Sequence, residues 1–252
     1  MPDDYKKNYL NQVILRIDFP TTPLDIKEPL PIGLLKIILP KFPVPEKKEI
    51  IEKTINFNFK KDDVDAQSNK IEEFYYFDVN KKKSICISKK YIFFVYTAWD
   101  QGSYKELESI FNNIITELFR SNDIQVTRLG LRYINHIELN GSDPTNWDGY
   151  LNKNVLSIFN MVGEEFLVSR AFQNLELILS DIRIRFQYGM NNPDYPAPIR
   201  KKLFVLDYDG SCEYLQEQKD LMDNLKVIHE EIGKLFKKSI DSKLEAILKG
   251  EQ

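Results

Sequence analysis

Apolar and polar residues alternate with a period of two in many short stretches of the chain, and with a period near 3.6 in a few longer ones. Val13, Leu15, Ile17 and Phe19 fall on one side of residues 13–19, with Arg16 and Asp18 on the other, which predicts a half-buried strand. Prolines 20, 23, 29 and 31 make the next segment a connector, and residues 34–39 predict a short helix stopped by Pro40, Pro43 and Pro45. Residues 50–59 alternate in part. The polar run 60–70 reads as a loop. Three further strands follow at 74–79, 84–88 and 91–98. A helix over 103–119 is predicted to open with a capping box, Ser103 to Glu106, and to bury Leu107, Ile110, Phe111, Ile114, Ile115 and Leu118.

The strand that comes next, 128–136, has two contrasting sides. Leu129, Leu131 and Tyr133 alternate with Arg128, Gly130, Arg132 and His136. Gly141 and Pro144 then break the chain. Residues 151–160 fit helix or strand equally well. Strands are expected at 175–179, 182–188 and 203–209, the last ending at Gly210, with a loop rich in Asn and Pro over 189–198. Leu221, Leu225, Ile228, Ile232 and Leu235 mark a long amphipathic helix over 213–238, and a short helix over 241–248 follows.

Short strands joined by short connections imply antiparallel pairing, because parallel neighbours need long crossovers. The expected class is therefore α+β, with antiparallel sheet packed on amphipathic helices. The segments 91–119 and 203–236 echo each other as strand followed by helix, ending in Leu118-Phe119 and Leu235-Phe236. This predicts two fused, related β-rich units, residues 1–140 and 141–252.

Composition narrows the class. Hydrophobic residues make up 42% and charged residues 29%, which suits a packed globular domain and not a disordered chain. The net charge of −3 does not favour a general nucleic-acid binder, although a local basic patch is compatible with it. Cys86 and Cys212 are too few for a disulfide framework and suit a reducing compartment. Without a membrane-length apolar run or a leader-like start, the expectation is a cytoplasmic protein with no membrane association.

Candidate chemistry is sparse. No phosphate-cradling glycine loop, nucleophile elbow or spaced zinc motif is present, so no catalytic residue, metal ligand or cofactor is predicted. The Arg128, Arg132 and His136 face is the leading candidate for an anion site, with Tyr133 and Asn135 as accompanying ligand-binding residues. The competing account is that acidic residues on neighbouring strands pair with these arginines, which is the commoner fate of charges on a sheet. Asp207 and Asp209 are expected to lie across from Arg183 and Arg185; together with Asp181 they offer a weaker metal-binding alternative. His229, beside the stripe of the long helix, reads as a boundary residue, with clustering against His136 left open. Trp99 and Trp147 read as core plugs, or else as a stacking surface for a base or a peptide.

The block Arg128-Leu129-Gly130-Leu131-Arg132-Tyr133-Ile134-Asn135 resembles one found in a sporadically distributed, functionally uncharacterised prokaryotic protein family of about this length. The β-rich start at 12–19, the aromatic strand ending at Ala98-Trp99, the Leu206-Asp207-Tyr208-Asp209 strand and the tail at 228–240 are similar in style, so the resemblance spans nearly the whole chain. It supplies no catalytic residues. A patchy distribution implies an accessory role, such as a part in a defence or mobile-element system. Together these readings predict a non-enzymatic binding module for an anionic small molecule or an acidic protein partner. A metal-dependent phosphoesterase or nuclease-like enzyme and a dimerising structural subunit are the alternatives.

Overall fold

A computed structural model describes residues 5–20, 30–58, 63–100, 103–121, 124–141, 143–161 and 166–251. Pro23 and Pro29 of the expected connector lie outside these residues. Among the described residues, nine strands form one antiparallel sheet: β1 (Leu10–Asp18), β2 (Val44–Asn58), β3 (Asp63–Phe77), β4 (Lys83–Ser88), β5 (Tyr91–Tyr96), β6 (Arg128–Glu138), β7 (Ala171–Leu179), β8 (Ile182–Met190) and β9 (Leu203–Cys212). Their order across the sheet is β2-β3-β4-β5-β1-β6-β9-β8-β7. The helices are α1 (Ile32–Ile38), α2 (Ser103–Ser121), α3 (Lys153–Leu156), α4 (Gln218–Ser239) and α5 (Ser242–Lys249). The class is α+β, with the sheet dominant.

The order has a simple logic. Ahead of α2, the opening strand β1 pairs with the closing strand β5; ahead of α4, the opening strand β6 pairs with the closing strand β9. β1 and β6 then pair with each other, so the sheet runs unbroken through the middle of the chain.

Period-two alternation decides which side is covered. Leu15, Ile92, Phe94, Leu131, Tyr133 and Tyr208 are buried on the face that receives the helices. Phe94 meets Phe111 of α2 edge-on, and Tyr208 meets Phe236 of α4. Burying large aromatic and aliphatic side chains removes much apolar surface from water and supplies most of the driving force. Trp147 is buried against Phe204, as a core plug, while Trp99 is only partly buried and packs on Tyr133.

Three local expectations are corrected. Residues 63–70, read as loop, belong to β3, whose ladder with β2 continues to Asn58 opposite Asp63. Polar residues can follow a strand when backbone pairing, and not burial, holds it. The capping box expected at Ser103 is not formed: the Ser103 hydroxyl engages Asp100, and Glu106 pairs instead with Lys83 at 2.7 Å. Finally, β9 does not end at Gly210 but runs to Cys212, and α4 starts at Gln218 behind a capping box made by Glu217 and Asp220. Gly210 is not a turn residue. A Cβ there would come within 2.5 Å of Ile228 Cγ2, so glycine lets α4 seat closely on the sheet.

Candidate functional site

The face of β6 turned away from the helices carries Arg128, Gly130, Arg132, Ile134 and His136. Its neighbours extend this polar row. β1 brings Arg16 opposite Gly130 and Asp18 opposite Arg128; β9 brings Asp209 opposite Arg132 and Ser211 opposite Gly130. β8 adds Arg185 across from Asp209 and Arg183 across from Ser211. Among the described residues, five arginines from three strands, β1, β6 and β8, therefore share one surface.

They are not equivalent. Arg132 is clamped by Asp207, with Nε at 2.8 Å from Oδ1 and Nη2 at 2.6 Å from Oδ2, a two-pronged geometry that raises its pKa further above the ordinary guanidinium value. Arg16 donates twice to Asp18 Oδ1, at 2.9 and 2.6 Å, and lies 4.4 Å above the Tyr91 ring. Arg185 donates to Asp209 at 2.9 Å. Arg128 stands apart. Asp18, Glu213 and Asp209 surround it at 3.6, 3.7 and 3.9 Å, all beyond hydrogen-bonding reach. Among the described residues, no carboxylate comes within ion-pair distance of the exposed Arg183.

Gly130 explains the position of Arg128. Four residues of strand rise separate Arg128 from Arg132 by about 13 Å at the backbone. The Arg128 guanidinium folds back over Gly130, where a Cβ would meet Nη1 at 2.8 Å. It thus lies between two grooves. One, of about 530 Å³, is lined by Ile14, Arg16, Asp18, Arg128, Gly130, Arg132 and Asp209. The other, of about 230 Å³, shares Arg128 and Asp209 and adds Arg183, Arg185 and Ser211. A larger depression of about 800 Å³, between the end of α2 and the start of α4, has Lys219 but no arginine in its lining.

His136 is half-buried on the arginine face. Burial pushes its pKa below the ordinary imidazole value, and the Asp207 carboxylate opposes that shift. Tyr133 and Asn135, grouped with the arginines on sequence grounds, occupy the opposite, buried face. The Tyr133 hydroxyl is 2.8 Å from His229 Nδ1, and Asn135 Nδ2 donates to the Leu206 carbonyl at 3.1 Å. His229 stacks on Tyr104 at 3.5 Å between ring centroids, and burial pushes it down to about 3. The two histidines are thus on opposite sides of the sheet and do not cluster. The proposed set of five divides into a surface trio, Arg128, Arg132 and His136, and a buried pair.

The expected charge pairing is half realised. Asp209 does face Arg185, but Arg183 faces Ser211, and Asp207 faces Gln187 while its oxygens engage Arg132. Asp181 lies in the turn between β7 and β8. Among the described residues, no group of three or more His, Cys, Asp or Glu side chains is placed to share a metal ion. No helix among the described residues is long and apolar enough to cross a membrane.

One feature of this face escaped the sequence reading. Glu73 is buried and accepts hydrogen bonds from the Tyr75 hydroxyl at 2.8 Å and the Tyr91 hydroxyl at 2.5 Å. It links the arginine row, through Tyr91 and Arg16, to the aromatic strip of Tyr75, Phe77 and Phe93. Its signal is weak: an acid just ahead of an aromatic strand, legible only once β3 is known to extend past it.

Compared with known proteins, the chain matches no family model and no curated relative.

Proposed function

We propose that this chain is a non-enzymatic binding module whose open sheet face takes a small anionic ligand bearing phosphate or carboxylate groups. The observation that carries this reading is Arg128. Its guanidinium is held over Gly130 at the rim of two grooves, with three carboxylates near enough to balance its charge and none near enough to take its hydrogen bonds. An incoming anion would receive those donors without first breaking an existing bond. Arg132 and Arg16, held in place by Asp207 and Asp18, line the groove with preset side chains, and His136 is a pH-sensitive neighbour. A groove of about 530 Å³ falls within the range of small-molecule sites, which favours a recessed ligand over a broad acidic protein surface.

The same proposal treats the chain as two related units, β1 to α2 and β6 to α4, a division that moves β6 out of the first unit, where a boundary at residue 140 would leave it. In each, the opening strand pairs with the closing strand and an amphipathic helix follows. Both cysteines are buried as free thiols, which agrees with a reducing compartment.

Calorimetric titration of the full chain with inorganic pyrophosphate tests the site. Binding should weaken at least tenfold in Arg128→Ala while the unfolding curve stays in place. Equal affinity in the variant, or no binding to the parent chain, removes the proposal.

A further inference from the structure

The sheet has two edges, β2 and β7. An edge strand offers a row of unpaired N–H and C=O groups, and proteins discourage pairing there with charges, prolines or bulges. β2 follows that rule, with Pro45, Glu46, Lys47, Lys48, Glu49 and Glu52. β7 does not. Its sequence, Ala-Phe-Gln-Asn-Leu-Glu-Leu-Ile-Leu, has one charge, Glu176, and no proline or glycine. Ile178 is 74% exposed, and Phe172, Leu175 and Leu179 are each more than 40% exposed. Phe166 and Leu167, just ahead of the strand, add further exposed apolar surface.

We infer that β7 is a dimerisation strand, which pairs antiparallel with β7 of a second copy of this chain about a two-fold axis at Leu175. The self-pairing of this sequence supports that occupant. With Leu175 opposite its own mate, all nine residues find a neighbour. Phe172 faces Ile178 and Asn174 faces Glu176 on the arginine side; Ala171 faces Leu179 on the helix side. The single carboxylate of each copy meets an amide donor. An axis at Glu176 would set two carboxylates against each other, and one at Asn174 would set Phe172 against Glu176, so the charge pattern selects the register.

Because such an axis stands perpendicular to the sheet, the arginine faces of the two copies lie on the same side. The Arg185 backbones of the pair would be three strand spacings apart across the sheet and offset by two residues along it, about 16 Å in all. The dimer rests on the edge chemistry alone and holds whether or not the arginine face binds an anion.

Sedimentation of the full chain across a micromolar concentration series should show a dimer that dissociates on dilution. Leu175→Lys, a charged substitution at an exposed site, should be monomeric throughout. Leu175→Cys provides a test that does not depend on that variant folding well. At the axis its two copies sit within disulfide reach and should crosslink on mild oxidation. Phe172→Cys should not, because its two copies would be about 20 Å apart by strand rise. Cys86 and Cys212 are buried and should stay silent. A chain that remains monomeric, a dimer that survives Leu175→Lys, or equal crosslinking at positions 172 and 175 would each overturn the assignment.

Discussion

On one face of β6, Leu129, Leu131, Tyr133 and Ile137 are sealed beneath the helices; on the other, Arg128, Arg132 and His136 stay within reach of water. The backbone and the neighbouring strands are common to both, so the contrast isolates what each side is for. The sealed side has almost no freedom. Leu131 is fully buried, and even the polar group of Tyr133 finds a specific partner in His229. On the open side, among the described residues, Arg128 has only carboxylates beyond hydrogen-bonding reach around it while Arg132 is clamped by Asp207. Stability is thus concentrated on one face, and the proposed binding on the other.

The contrast can be tested from its strongest side to its weakest. Leu131→Ala should cost about 2–5 kcal/mol, since it removes a buried branched side chain and leaves a cavity; urea denaturation would show it as a lower midpoint with an unchanged slope. A loss below 1 kcal/mol would mean that the helix-covered face is loosely packed.

Next comes a pH effect. His229 is held near a pKa of 3 in the folded chain by burial, against about 6.5 when unfolded. Above pH 6.5 it is neutral in both states. As the pH falls from 6.5 towards 3, only the unfolded chain takes up the proton, so folding stability drops, by about 2 kcal/mol between pH 7 and pH 5. His229→Phe should flatten that part of the stability profile. A slope that persists unchanged would assign it to other groups.

Smaller still is Arg132→Met, which leaves the largely buried Asp207 carboxylate without its clamp and should cost about 1–2 kcal/mol. Adding Asp207→Leu should recover most of that loss, and failure to recover would mean that the pair does more than neutralise itself. The smallest stability effect belongs to Arg128→Ala, within about 0.5 kcal/mol, because its contacts are long and partly open to water. Its consequence should instead be the loss of pyrophosphate binding.

Period-two alternation makes the β6 contrast legible in the sequence, because a pleated strand sends successive side chains to opposite faces whatever surrounds it. The same rule already separated Tyr133 and Asn135 from the arginines, and grouping all five followed proximity in sequence at the expense of the pleat. Alternation fixes the face but not the offset between strands. Asp207 and Asp209 therefore share one side, as alternation requires, and Asp209 meets Arg185 as expected, but the offset sets Asp207 against Gln187 and Arg183 against Ser211. The pairing of residues 63–70 with β2 was hidden for a related reason: backbone ladders tolerate polar sequences, so composition there carried no strand signal. The role of Gly210, a seat for α4, depends on a helix that follows it in the chain and could not be told from a turn.

The position of β1 bears on how the molecule is made. Its two neighbours are β5 and β6, which lie roughly eighty and a hundred and twenty residues further along the chain. During synthesis, the central strand of the finished sheet waits without a hydrogen-bonded companion until most of the first half has emerged. Contacts this distant in sequence slow folding, because long loops must close before any pairing is gained. The strand most deeply embedded at the end is the one left longest exposed at the start.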